Sequence, residues 1–137
     1  DYNGTIAKDG KLLNGVGELF EKLTKNFKVF VITADTFGSV QKELQEFDVK
    51  IIVLKSANHT IEKKDFLNSI NAQNSITIGN GNNDSLMLQE ACLSIALIGD
   101  EGCSVKTLKN SDIVCKNILN ALELILYPKR LIATLRA

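Results

Sequence analysis

The chain has 137 residues, with 16 Lys plus Arg against 16 Asp plus Glu, 45% hydrophobic and 23% charged residues. Such a length suits one domain, 1–137, around one substantial core, and the balanced charge offers no field to recruit nucleic acid or an anionic membrane. No apolar run is long enough to cross a bilayer and no signal peptide is visible. Cys92, Cys103 and Cys115 match neither a disulfide framework nor a zinc site, so they read as small buried hydrophobes of a reducing, cytoplasmic compartment.

In chain order, Asp1-Tyr2-Asn3-Gly4-Thr5-Ile6 sets a carboxylate beside a turn-forming Asn-Gly pair and a small hydroxyl residue. Lys8-Asp9-Gly10-Lys11 then predicts a tight hairpin able to act as a small flap. Val16, Leu19, Phe20, Leu23 and Phe27 recur at helical spacing. Lys28 to Ile32 is a continuous apolar run, the pattern of a strand covered on both faces. Phe37, Val40, Leu44 and Phe47 mark a second helix, and Val49 to Leu54 a strand. Ser56 to Thr60 reads as a loop, and Ile61, Phe66, Leu67 and Ile70 as one face of a helix that also carries Lys63 and Lys64. Ser75 to Ile78 is a strand that runs into Gly79-Asn80-Gly81-Asn82-Asn83-Asp84.

The alternation continues with a helix over Asp84 to Cys92, a strand over Leu93 to Ile98, a short helix over Cys103 to Lys109 and a strand over Asp112 to Cys115. Ile118, Leu119, Leu122, Ile125 and Leu126 give an apolar helix, which Pro128 interrupts before a terminal piece carrying Leu131, Ile132 and Leu135. Strands alternating with helices predict an α/β fold with a doubly wound parallel sheet, whose ligands bind at the carboxyl ends of the strands. The Asp1, Thr33 and Gly79–Asp84 stretches belong at those ends, and the lysines on the helix entering the site.

Asp1-Tyr2-Asn3-Gly4-Thr5 resembles the first motif of the haloacid dehalogenase superfamily, usually Asp-x-Asp-Gly-Thr. Thr33-Ala34-Asp35 is similar to the Thr-Gly-Asp of P-type ATPase phosphorylation domains, and Gly79 to Asp84 to their Gly-Asp-Gly-x-Asn-Asp. The resemblance runs through essentially the whole chain in the right order and looks closest to soluble P-type-ATPase-like proteins. It implies a Rossmann-like, three-layer α/β/α domain. The intervals from Asp1 to Thr33 and from Thr33 to Lys63 are filled by core elements, which leaves no room for a cap domain.

The same resemblance makes Asp1 the nucleophile that becomes an aspartyl-phosphate. A nucleophilic carboxylate ordinarily needs a strand end to hold it, so a strand is expected ahead of Asp1. Thr33 offers a hydroxyl and Ala34 a backbone N–H to phosphate, with an N-cap role open to Thr33 or Asp35. Lys63, with Lys64 as fallback, neutralises phosphate and nucleophile. Asp1, the backbone carbonyl of Asn3 and Asp84 would bind Mg²⁺, with Asn80 near the metal.

Two departures alter the expected activity. Asn3 stands where the superfamily has its acid/base Asp, and an amide can neither protonate a leaving group nor deprotonate water. Asn80 stands where an acidic residue is usual, which removes a charge though not an oxygen. A Mg²⁺-dependent phosphatase or phosphotransferase with weak hydrolysis is therefore expected, acting on a small phosphorylated substrate or a phosphoprotein. The alternative is an impaired, phosphate-responsive binding module or oligomeric scaffold. Tyr127, Leu131, Ile132 and Leu135 can serve either a homo-oligomer interface or their own domain.

Overall fold

The computed structural model describes residues 1–35 and 38–137. Asp9 (φ 52°) and Gly10 (φ 75°) both take left-handed backbone, as a two-residue hairpin turn requires. They join β1 (Ala7–Lys8) to β2 (Lys11–Leu12), pairing Ala7 with Leu12 and Lys8 with Lys11. Helix α1 (Val16–Leu23) buries Val16, Leu19, Phe20 and Leu23 at the predicted spacing. Phe27 lies beyond its end and is exposed.

Strand β3 (Val29–Thr33) pairs in parallel with β4 (Val49–Val53), with Val29 opposite Val49 and Thr33 opposite Val53. Between them α2 (Ser39–Leu44) buries Val40 and Leu44. Phe47 lies past that helix and packs edge-on against Phe20, 6.2 Å between ring centres. Phe37, expected on the same helix, lies outside the described residues.

Helix α3 (His59–Ser69) begins inside the predicted loop because the Asn58 side chain caps it, accepting from the Ile61 N–H at 3.2 Å. Its inward face also differs from the expected one: Lys63 and Leu67, four residues apart, are buried, whereas Ile61 is exposed. The helix is rotated to bring an ammonium group into the interior, where carboxylates receive it.

Strands β5 (Ile76–Gly79), β6 (Leu93–Leu97) and β7 (Ile113–Cys115) form a second parallel ladder in the order β5-β6-β7. Helices α4 (Ser85–Glu90) and α5 (Val105–Lys109) connect them, and α6 (Ile118–Leu126) and α7 (Pro128–Leu135) follow, with Pro128 opening α7. Side chains alternate between the two faces. Val31, Ile95 and Leu97 join a core with α1 and α6, while Ile32 and Ala96 join a separate one with Leu67 of α3 and Met87 and Leu88 of α4. The result is three layers, α/β/α, with no cap among the described residues.

The parallel strands form two ladders, β3-β4 and β5-β6-β7. Among the described residues β3 pairs only with β4, and β5 only with β6. A cleft of about 660 Å³ lies between their facing edges. All three cysteines are free, but only Cys115 is buried, and Cys92 is exposed because it follows the end of α4 rather than lying on its inner face.

Candidate active site

The tight chain path around Asp1 comes from Tyr2, whose carbonyl accepts from the N–H groups of Thr5, Ile6 and Ala7 at 2.9–3.1 Å. Tyr2 is fully buried, and its hydroxyl donates to Gly10 O at 3.0 Å, fastening the loop to the hairpin. Burial, Glu43 and Asp35 push that phenol's pKa upward. Gly4 (φ 77°) makes the turn, and an added Cβ there would stand 2.6 Å from Asn80 Nδ2. Sequence segments far apart are thus forced into contact at the glycine.

The centre of the site is a charged triad. Lys63 Nζ donates to Asp1 Oδ1 at 2.7 Å and to Asp84 Oδ1 at 2.6 Å. The Lys63 and Asp84 side chains are 1% and 0% exposed, while Asp1 retains 13%. One ammonium between two carboxylates leaves a local charge of about −1, and Asp1 is the member open to solvent. The competing candidate, Lys64, reaches only the neighbouring Asp65 at 3.8 Å. Lys63 is the lysine of the site.

Asp84 is held on all sides. Its Oδ2 accepts from the N–H groups of Asn80 (3.1 Å) and Gly81 (2.9 Å), so both carboxylate oxygens are engaged. Gly79 is required for this approach, since a Cβ there would lie 2.5 Å from Asp84 Cγ. Asn80 is nearer the free side of Asp1. Thr5 Oγ1 donates to Asp1 Oδ2 at 3.0 Å and stands 3.4 Å from Asn80 Oδ1. Asn80 Nδ2 donates to Gly102 O at 3.1 Å, which turns the amide oxygen toward Thr5.

The remaining expected residues lie further out. Asn3 is exposed, and its Oδ1 accepts from Gly10 N–H at 3.1 Å, tying it to the hairpin turn. Thr33 ends β3, buried, and its hydroxyl accepts from Asp35 N–H at 3.0 Å. Asp35 in turn accepts from the Ser39 hydroxyl. Thr33 thus closes the turn after β3, and among the described residues the second helix, expected after Asp35, begins at Ser39. Ala34 itself is exposed. Sequence reasoning missed Thr5 as a ligand of Asp1, although a hydroxyl residue four positions after a carboxylate was its signal. Nothing local could reveal the Gly102 carbonyl.

Among the described residues no three His, Cys, Asp or Glu side chains come together. Asp1 Oδ2, Thr5 Oγ1 and Asn80 Oδ1 nevertheless gather hard oxygens beside one carboxylate. Such a set fits Mg²⁺, which commonly takes one or two protein carboxylates and keeps several waters. Asp84, also expected as a ligand, is fully buried here, with Oδ1 on Lys63 and Oδ2 on the Asn80 and Gly81 N–H groups.

No family model matches the chain. The architecture is shared with 3-deoxy-D-manno-octulosonate 8-phosphate phosphatase from Moraxella catarrhalis, solved with magnesium, phosphate and KDO. The TM-score is 0.72 at 18% identity, over 92% of this chain and 78% of that one. A haloacid dehalogenase-like family protein from Streptococcus pneumoniae superposes with a TM-score of 0.59 at 16% identity, over 84% of this chain and 60% of that one. The chain has the haloacid dehalogenase fold. The catalytic domain of the CPx-ATPase CopB-B has the same fold, with a TM-score of 0.67 at 21% identity over 83% of this chain and 46% of that one. In sequence, an uncharacterized protein of Methanocaldococcus jannaschii is 57% identical over 61 residues, 44% of this chain and 66% of its own length. In this haloacid dehalogenase-fold domain the Asp1–Lys63–Asp84 triad sits beyond the carboxyl end of β5.

Proposed function

We propose that the chain is a capless, Mg²⁺-dependent phosphohydrolase or phosphotransferase of the haloacid dehalogenase superfamily, acting in the cytoplasm through an aspartyl-phosphate on Asp1. The observation that carries this reading is the Asp1 carboxylate held from both sides, by Lys63 Nζ at 2.7 Å and the Thr5 hydroxyl at 3.0 Å. Phosphoryl transfer depends mostly on positioning and charge neutralisation, and those are what such an arrangement supplies.

In the proposed reaction an Asp1 carboxylate oxygen attacks phosphorus, and the bond from phosphorus to the leaving oxygen breaks. Lys63 offsets the charge on the nucleophile and the incoming phosphoryl group, and Thr5 orients the carboxylate. Asp84 holds Lys63 in place through its own fixed hydrogen bonds. Water then attacks phosphorus, the bond from phosphorus to the Asp1 oxygen breaks to restore the carboxylate, and the water's proton leaves with the released phosphate, a step left slow without a general base. Asp1, the backbone carbonyl of Asn3 and the Asn80 amide oxygen would hold Mg²⁺, which supplies neutralisation of phosphate charge. With a neutral amide at Asn80, binding should be weak.

Asn3 sets the substrate class. Its side chain holds the hairpin turn, and an amide cannot transfer a proton to a leaving group. The favoured substrates are therefore those whose leaving group departs without protonation, such as aryl or acyl phosphates on a small molecule or a phosphoprotein. Incubation with an aryl phosphate and Mg²⁺ is expected to give slow turnover with a trapped phosphoenzyme, and Asp1→Asn to give neither. Asn3→Asp should raise hydrolysis by about 10²-fold or more; an unchanged rate would remove the acid/base explanation. The amides at Asn3 and Asn80 also favour a second reading, a phosphate-responsive module or oligomeric scaffold. Calorimetric binding of Mg²⁺ and phosphate without turnover would select the module.

A further inference from the structure

We propose that Glu101, on the loop between β6 and α5, supplies the Mg²⁺ site beside Asp1 with the negative charge that Asn80 lacks. This role rests on the Mg²⁺-dependent reading above and adds to it a residue from outside the motifs. The need for such a charge follows from the triad. Lys63 offsets one of its two carboxylates, which leaves about one negative charge to receive a divalent cation. Thr5 and Asn80 add oxygens but no charge. Oxygen sites for hard cations gain affinity with the charge gathered around them.

Glu101 is the carboxylate placed to meet that need. A Cβ added to Gly4 would stand 2.8 Å from Glu101 Oε2 and 2.9 Å from Asn80 Oδ1, so the carboxylate and the amide oxygen flank the same glycine. The missing side chain at Gly4 is what leaves room for both. That glycine follows Asn3, whose carbonyl is a proposed ligand, and precedes Thr5, which donates to Asp1 Oδ2 at 3.0 Å. Gly4, Thr5 and Glu101 also line one cavity of about 410 Å³, with space for the waters that Mg²⁺ retains.

Both flanks of Glu101 are pinned. Before it, Asp100 accepts from Lys8 Nζ of the hairpin at 2.8 Å. After it, the Gly102 carbonyl accepts from Asn80 Nδ2 at 3.1 Å, and the Ser104 N–H donates to Asn80 O at 2.8 Å. The loop is thereby fastened to the hairpin on one side and to Asn80 on the other. The same contacts leave Glu101 available. Lys8 is taken by Asp100, and Glu101 itself makes no hydrogen bond or ion pair among the described residues. Its exposed carboxylate is solvated in the free protein and gains a partner when a cation arrives.

Mg²⁺ titrations followed by calorimetry and by the rise in Tm test this role without reference to turnover. Glu101→Gln is expected to weaken Mg²⁺ binding by about tenfold, the usual effect of removing a group that supports a metal's ligands. Its Tm without Mg²⁺ should match the parent's, because the side chain is exposed and unpaired. Glu101→Asp keeps the charge and should bind within about threefold of the parent. Glu90→Gln makes the same charge change at the far end of α4 and should leave affinity unchanged. Equal affinities for the parent and Glu101→Gln would overturn the proposal while leaving Mg²⁺ dependence in place. A parent that binds no Mg²⁺ would overturn both. An equal loss in Glu90→Gln would overturn the proposal because net charge alone would be at work, and an equal loss in Glu101→Asp because the charge would not be. Slower turnover of an aryl phosphate by Glu101→Gln at unchanged Mg²⁺ affinity would overturn it too, since Glu101 would then be handling a proton.

Discussion

Lys63 illustrates how little a residue's type says until its partners are known. On an exposed helix face it would be one more solvated cation, whereas here its ammonium group is enclosed with Asp1 and Asp84. Breaking a buried ion pair by removing one partner leaves uncompensated charge, and the loss is commonly about 3–5 kcal/mol. Lys63→Met is therefore expected to cost about 3–5 kcal/mol in denaturant unfolding. Lys64→Met, beside it, half-buried and reaching only Asp65 at 3.8 Å, should cost no more than about 1 kcal/mol. Equal costs for the two variants would show that the triad contributes nothing specific.

At the scale of elements, α3 matters because it delivers Lys63, and its position depends on the loop ahead of it. The N–H groups of Lys55 and Ser56 donate to the Glu62 carboxylate at 2.8–3.1 Å, tying the end of β4 to the first turn of the helix. The Lys55 hydrogen bonds, and then those from Ser56, pull the carboxyl pKa below its ordinary 4.5. A carboxylate with a depressed folded-state pKa stabilises the fold above its unfolded value, and that contribution is lost as pH falls through the folded value. Glu62→Gln is expected to lower Tm at neutral pH, and the gap from the parent should close as pH drops below 4.5. A gap that stays constant with pH would mean that the charge is not involved. The hairpin is a second element joined to the Asp1 loop. The Asn3 amide oxygen and the Tyr2 hydroxyl both fasten its turn at Gly10 to the loop that follows Asp1.

For the whole molecule, the C-terminal helix α7 is the part least committed to the core. It buries none of its residues, and Ile132 is 63% exposed. Ile132→Ser is accordingly expected to change the stability of the monomer by no more than about 0.5 kcal/mol. Melting at several protein concentrations checks this: a concentration-dependent fall in Tm for the variant alone would show that copies of the chain cover this face. No helix among the described residues is long and apolar enough to cross a membrane.

The sequence by itself determined the order of elements and singled out Asp1, Asp84 and the Lys63-Lys64 pair as site candidates. Val16, Leu19, Phe20 and Leu23 announced α1, Asp9-Gly10 announced the hairpin turn, and the apolar runs announced the parallel strands, because period and turn chemistry are local properties. Asp1, Lys63 and Asp84 stood out through ordered motifs that resemble the haloacid dehalogenase superfamily, whereas the ion pairs that join them and leave Lys64 outside were not legible. What only the tertiary structure decided depends on contacts between distant segments. It rotated α3 so that Lys63 rather than Ile61 faces inward, and engaged both oxygens of Asp84 with Lys63 and the Asn80 and Gly81 N–H groups. It also gave Thr33 to its own turn and divided the sheet at the cleft beside Asp1. A helical period fixes which residues share a face, but the direction of that face is set by what waits on the other side, here two carboxylates needing one cation.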